Sequence, residues 1–242
     1  MTTSMRWQIG DTTLTSIVEA ETRHVPLGLF YPDASAADVQ PAQPWLVDGM
    51  ADADGSAITF RVQAFVVHHA GQTVLIDPCV GNGKHLEMIF WNELATPWLD
   101  DLRRAGVDPD DVDLVVHTHL HEDHIGWDTH CIEGEWRPTF PNARHIYVGD
   151  ELEWAQSEEV RARESTPWDE SIAPILAAGL SDEVGPDHDL GHGMRFLPTP
   201  GHTPGHVSLE ITTTAEPLVI TGDLLHHPFQ FAAPDIAELG DV

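Results

Sequence analysis

The sequence predicts an α/β fold of layered β-sheets with helices packed outside them. Strand-like apolar runs concentrate toward both ends of the chain, and helical patterns fall between them. Several of the short strands also run straight into segments rich in His and Asp, as expected where strand ends present a site. At 242 residues, the chain fits one domain, 1–242, with enough length to bury a sizeable core.

Taken in order, Thr13–Val18 is the first strand-like run. Pro32–Gly55, polar and rich in Pro, Asp and Ala, reads as a long loop. Ile58–His69 and Thr73–Asp77 form the next two strands, with Ala70-Gly71-Gln72 as a hairpin turn between them. Thr96 is a candidate helix cap, with Pro97 in the first turn of a helix through Trp98–Ala105 that stops at Gly106. Asp108-Pro109-Asp110-Asp111 turns the chain into the apolar strand Leu114–His117. A strand at Ala143–Val148 precedes helices near Glu151–Ser157 and Ser171–Ala178. Arg195–Leu197, His206–Thr212 and Leu218–Thr221 are strand-like again. Periodicity does not decide between one sheet and two.

Composition narrows the partners. Eleven Lys and Arg against 40 Asp and Glu leave a net charge of −29. Such a surface repels nucleic-acid phosphates and anionic membranes, and it favours solubility, including in salty surroundings. No apolar run approaches the length of a membrane span, and the first residues lack the pattern of a secretory signal, so a cytoplasmic protein is expected. Two cysteines, Cys79 and Cys131, make no disulfide framework and read as packing or loop residues. The 16 histidines cluster instead of scattering, and His is the commonest metal ligand.

The densest cluster is His119-Leu120-His121-Glu122-Asp123-His124, directly after an apolar strand. Residues two apart on extended backbone point to the same side, so His119 and His121 can share one ion. Asp123 and His124 diverge and suit a neighbouring ion, while Gly126 lets the chain leave tightly. Pro200-Gly201-His202-Thr203-Pro204-Gly205-His206 reads as a sharp, rigid loop with His202 at its tip. His202 completes a three-histidine set, whereas His206 reads as a supporting residue. Leu218–Thr221 delivers Asp223 to a strand end, where a carboxylate can bridge ions about 3.5–4 Å apart. Asp77 closes its own strand in the same manner and is read either as a carboxylate that orients a ligand or as a turn residue.

These three stations, in this order, resemble the metallo-β-lactamase superfamily of metal-dependent hydrolases. Phe90-Trp91-Asn92, Gly126-Trp127, Pro138–Ala143 and Gly222–Pro228 add a likeness to its branch of N-acyl-homoserine lactonases and methyl-parathion-hydrolase-like enzymes. The resemblance implies an αββα sandwich and two divalent metal ions, zinc being the expected metal. His119, His121 and His202 would hold one ion, Asp123 and His124 the other, and Asp223 both. Asp123 and Asp223 are also the expected catalytic carboxylates, Asp123 managing a proton. The implied reaction is attack by a metal-bound hydroxide on an ester, lactone or related bond of a small molecule. A homodimer is compatible with the resemblance.

The superfamily adds a further histidine to the second metal, downstream of the bridging aspartate, and Phe229–Val242 contains none. The expectation is a chain lacking its C-terminal strands; the alternative is that His226 or His227 takes the ligand's place, although both read first as pocket-lining or capping residues. A glyoxalase-II-like thioesterase, which shares the three stations, and a non-catalytic metal-binding protein remain as rival readings. Phe30, Phe90, Trp91, Trp127 and Trp168 are candidates to line an apolar substrate pocket, against a bland role in the core.

Overall fold

The computed structural model describes residues 4–47, 49–86, 90–163 and 168–239. Asp48, within the expected loop, and residues 240–242, part of the ending discussed above, lie outside the described residues. The strands are β1 (Met5–Ile9), β2 (Thr12–Pro26), β3 (Ala57–His69), β4 (Gln72–Ile76), β5 (Leu114–Val116), β6 (Thr129–Ile132) and β7 (Glu135–Pro138). They continue with β8 (Arg144–Val148), β9 (Ser181–Val184), β10 (Asp189–Gly191), β11 (Met194–Pro198), β12 (Val207–Ile211) and β13 (Leu218–Ile220).

The strands form two main sheets, which resolves the question periodicity leaves open. One has seven strands in the order β1-β2-β3-β4-β5-β8-β9, and the other has four in the order β10-β11-β12-β13. Strands β6 and β7 pair as a separate hairpin. The two-residue alternation of β-strands explains the layering. Val67, Val74, Ile76 and Val116 face inward and meet Phe196, Val207, Leu209 and Ile211 of the second sheet in one buried cluster. Their neighbours Val66, Leu75 and Val115 point the other way, against Trp98 and Leu102 of helix Trp98–Arg104. A helix therefore covers the outer face of the large sheet.

The expected hairpin forms between β3 and β4, with Ala70 at φ 49 and Gly71 at φ 82 as its central residues. Positive φ at both positions gives a turn whose twist matches that of the flanking strands. The expected loop Pro32–Gly55 contains short helical turns at Ala36–Val39 and Gln40–Ala42, because Tyr31, Val39 and Ala42 are buried against Phe229. Thr96 does not cap its helix. Pro97 occupies the cap position, and the Thr96 hydroxyl instead donates to the buried Glu19 carboxylate at 3.0 Å.

Strands β4, β5, β8 and β9 run parallel, so the carboxyl ends of β4, β5 and β8 share one edge. That edge carries Asp77, the His119–His124 segment and the helix Gly149–Gln156. In the antiparallel second sheet, the end of β11, the start of β12 and the end of β13 lie together. A hydrogen bond from Val207 N to Thr118 O at 2.9 Å joins the two edges. Ligand sites gather at such carboxyl edges because the strands stop there and the loops are free to converge.

Candidate metal centre

All six predicted ligands meet at this edge. His119 Nε2 lies 3.0 Å from His121 Nδ1, which lies 2.8 Å from His202 Nε2. Asp223 Oδ2 lies 3.3 Å from His124 Nε2, 3.7 Å from His202 Nε2 and 3.9 Å from His119 Nε2. Asp123 Oδ2 is 3.6 Å from His124 Nε2. One carboxylate oxygen thus faces imidazoles of both expected sets, the position a bridging ligand needs.

The local fold explains the convergence. His119 lies three residues beyond the end of β5, past a bend at Thr118, and His121 sits at φ −70, ψ 158 before the short helix Glu122–Ile125. That helical turn carries Asp123 and His124 around to the Asp223 side. Gly126 leaves tightly, as expected: a Cβ there would lie 1.6 Å from Val80 O, so only glycine allows the two backbones to touch. Pro200–His206 is closed by hydrogen bonds from Thr199 N to His206 O (3.0 Å) and from Gly201 N to Thr203 O (3.2 Å), which hold His202 at the tip. Gly222 has φ +54, and a Cβ there would meet Thr118 Oγ1 at 2.5 Å.

Three of the candidate ligands, His119, His124 and Asp223, are oriented from behind. Asp77 accepts from Thr118 N and Thr118 Oγ1, both at 2.8 Å, and its Oδ2 lies 3.2 Å from His124 Nδ1. Since the Thr118 hydroxyl donates to Asp77, the 3.1 Å contact from His119 Nδ1 to Thr118 Oγ1 makes Nδ1 the protonated nitrogen. The Nε2 lone pair then faces the cluster. His206 accepts from Asp223 N at 3.1 Å through Nε2, and its Nδ1 lies 3.1 Å from Thr199 O. The supporting roles read for Asp77 and His206 correspond to these contacts.

The donor set fits a divalent metal. Burial, aided by neighbouring imidazoles, holds His119 well below the usual histidine range and His121 down at about 3. Both are therefore neutral and present lone pairs near neutral pH. Ring nitrogens 2.8–3.0 Å apart are held either by a proton that one tautomer supplies to the next ring or by a cation lying among them. A tetrahedral zinc site with bonds of about 2.0–2.1 Å places its ligands about 3.3 Å apart, close to the observed spacing. On the other side, burial opposes charge on His124, but Asp223, Asp123 and Asp77 outweigh it and hold the imidazole well above its usual range. Burial likewise opposes charge on Asp223, yet His124, His226 and His119 hold its carboxyl well below the usual range. Burial raises Asp123.

The two C-terminal histidines separate. His226 Nε2 lies 3.4 Å from Asp223 Oδ2, and His202, His226 and Glu238 offer ligand atoms within 4.8 Å of one another. His227 points elsewhere: its Nε2 contacts Met50 O at 2.9 Å, and its Nδ1 accepts from Phe229 N at 3.2 Å to cap the turn Pro228–Phe231. Among the pocket candidates, Trp127 belongs to the core, stacked on Trp98 with ring centroids 5.4 Å apart, and its Nε1 donates to Glu19 at 2.7 Å. Phe30 packs on Phe60, and Trp168 against the Leu152 and Ile172 cluster; Phe90 is exposed.

Sequence reading missed Glu151. Its carboxylate accepts from Leu120 N at 3.1 Å and Gly205 N at 2.7 Å, joining the two histidine-bearing loops from behind. These partners lie 31 and 54 residues away in sequence, and the only local signal is an acidic residue in the first helical turn after a buried strand. A second buried set, His117, Asp128 and His145, stands apart from the six ligands. Asp128 lies 3.0 Å from His117 Nε2 and 3.3 Å from His145 Nδ1, and accepts from Tyr147 Oη at 2.8 Å, so these groups largely serve one another.

Residues 58–240 match the metallo-beta-lactamase superfamily. An N-acyl homoserine lactonase of Bacillus sp is 33% identical over 123 residues, which is 50% of this chain and 42% of that protein. The N-acyl homoserine lactonase AttM of Rhizobium radiobacter is 28% identical over 193 residues, covering 72% of this chain and 68% of AttM. The match thus spans less than half the length of the Bacillus protein. Among solved structures, the hydrolase AbOPH superposes with a TM-score of 0.75 at 25% identity, covering 98% of this chain and 80% of AbOPH. AidC, a dizinc quorum-quenching lactonase, shares the fold with a TM-score of 0.73 at 21% identity, again over 98% and 80%.

Proposed function

Because the chain belongs to the metallo-beta-lactamase superfamily, we propose that it is a two-metal hydrolase, with zinc as its metal, acting on a lactone or related small-molecule ester. The observation that carries this reading is the placement of Asp223 Oδ2 within 3.9 Å of His119, His124 and His202, beside three imidazole nitrogens that face one another. His119, His121 and His202 would hold one ion, Asp123 and His124 the second, and Asp223 both. When bound, such a metal pair activates water near neutral pH and polarises the substrate oxygen.

The chain's own groups prepare that chemistry. Asp77 and Thr118 fix the ring of His119 through the Nδ1 contact, and Asp77 holds His124 from the opposite side of the ring to its ligating nitrogen. His206 fixes the backbone of Asp223 and so aims its carboxylate. Asp123, its carboxyl raised by burial, is placed to take and return a proton as the acyl bond is cleaved. His226 Nε2 lies 3.4 Å from the same Asp223 oxygen that faces His124.

The relatives named as N-acyl homoserine lactonases make that lactone class the first substrate to try. The test combines metal analysis with turnover of an N-acyl homoserine lactone, an aryl ester and a glutathione thioester. About two ions per chain with lactone or aryl-ester turnover is the expected result. Turnover confined to the thioester points to the thioesterase, and about one ion without turnover to a metal-binding protein without catalysis.

A further inference from the structure

We propose that Glu151 is the positioning residue that sets the distance between the two loops carrying the three-histidine ligand set. Glu151 acts in this way only if those histidines hold metal, as proposed above.

Its side chain is buried, in the first turn of helix Gly149–Gln156; burial raises its carboxyl, and the hydrogen bonds from Gly205 N and Leu120 N oppose that rise. One oxygen accepts from Leu120 N, between His119 and His121. The other accepts from Gly205 N at 2.7 Å, three residues beyond His202. Both partners are backbone amides, so the carboxylate grips the two loops themselves and not a side chain that could turn away.

The rest of the joint explains why this grip matters. Near their base, the loops are held by the bond from Val207 N to Thr118 O at 2.9 Å. A single attachment is a pivot. The Glu151 clamp is a second attachment, and two points fix the angle at which His202 meets His119 and His121. Gly205 completes the fit: a Cβ there would lie 2.8 Å from Glu151 N and 3.0 Å from Glu151 Cγ, so a larger residue would push the His202 loop off the helix.

Glu151→Gln keeps the shape but turns one acceptor into an N–H donor, which must then face an amide N–H. One of the two loops is released. The experiment titrates metal-stripped protein with cobalt(II) against a competing chelator and follows the visible cobalt bands, which report ligand geometry. Alongside, circular dichroism and melting of the metal-free proteins report folding. Glu151→Gln is expected to bind the first cobalt about 10- to 100-fold more weakly, with shifted bands, as for other groups that orient metal ligands. A merely structural role would lower the metal-free melting temperature and leave cobalt affinity and bands unchanged. Affinity within about threefold of the parent, with the parent's bands, overturns the positioning role. If Glu151→Gln does not fold, Gly205→Ala decides by the same two readouts, since it moves the loop while keeping the carboxylate. A parent protein that binds no cobalt would overturn the metal-dependent reading itself, and this role with it.

Discussion

Replacing Asp77 by Asn probes how the second metal's imidazole is aimed. Asp77 sits at φ 51, a conformation Asn tolerates, so the backbone need not change. Its carboxylate accepts from Thr118 N and Thr118 Oγ1, each at 2.8 Å, and pairs with the His124 imidazole, whose Nδ1 lies 3.2 Å from Oδ2. In Asn, the remaining oxygen can still accept from Thr118 N, and the new amide can donate to the Thr118 hydroxyl, which can rotate. His124 Nδ1 has no such freedom. Facing an N–H donor, it is driven to the tautomer with its proton on Nε2, the nitrogen that points at Asp223 and would bind metal. The ion pair with the His124 imidazole is lost, about 1.5–3 kcal/mol on the scale of a contact to a charged group. Converted at about 1.4 kcal/mol per decade, that is roughly 10- to 100-fold in affinity for the second ion. Sequential zinc titration by calorimetry should show the second binding step weakened. An unchanged second step would refute the claim that Asp77 sets the tautomer of His124.

His119→Ala removes a ligand that faces His121 and Asp223, so metal analysis should show a lost ion and hydrolysis should disappear; turnover that survives metal removal would sink the two-metal mechanism. Gly222→Ala combines a left-handed backbone with a Cβ 2.5 Å from Thr118 Oγ1 and 2.9 Å from His206 Nε2. The strain of about 1–2 kcal/mol and the overpacking of about 1–3 kcal/mol should lower the melting temperature by on the order of 10 °C. Metal uptake should also depend on pH differently at the two positions. His119 and His121 are already neutral near pH 7, so these two should release no acid when an ion binds them. His124 is raised, hence protonated there in the metal-free protein, so filling the second position must expel its proton and should strengthen as pH rises. Without metal, the raised His124 stabilises the fold at low pH, and that contribution is lost as pH climbs through its folded value. Zinc titrations in buffers of different ionisation enthalpy count the protons, and equal release at both steps would contradict the assignment.

The candidate ligands were legible along the chain, because metal chemistry restricts residue types and the strand-to-loop spacing restricts where they point. His119 and His121 are neighbours along one extended stretch, and the Pro-Gly pairs around His202 leave that loop little freedom. The hairpin at Ala70-Gly71 was legible for the same reason, since its conformation is a local matter of φ. Contacts between distant segments were not legible. Whether the strands formed one sheet or two depended on Val67 and Ile76 meeting Phe196 and Leu209, a packing that pattern alone does not encode. The Thr96 hydroxyl was drawn from its cap to Glu19, because a buried carboxylate costs more to leave unpaired than a helix end that water can reach. His226 and His227 are adjacent in sequence with the same chemistry, yet one faces Asp223 and the other Met50. Glu151 looked like one surface acid among 40 acidic residues until the fold brought two loop amides to it. Residue type and spacing are local and can be read along the chain, but the partner of a buried polar group is chosen only when tertiary packing removes water from it.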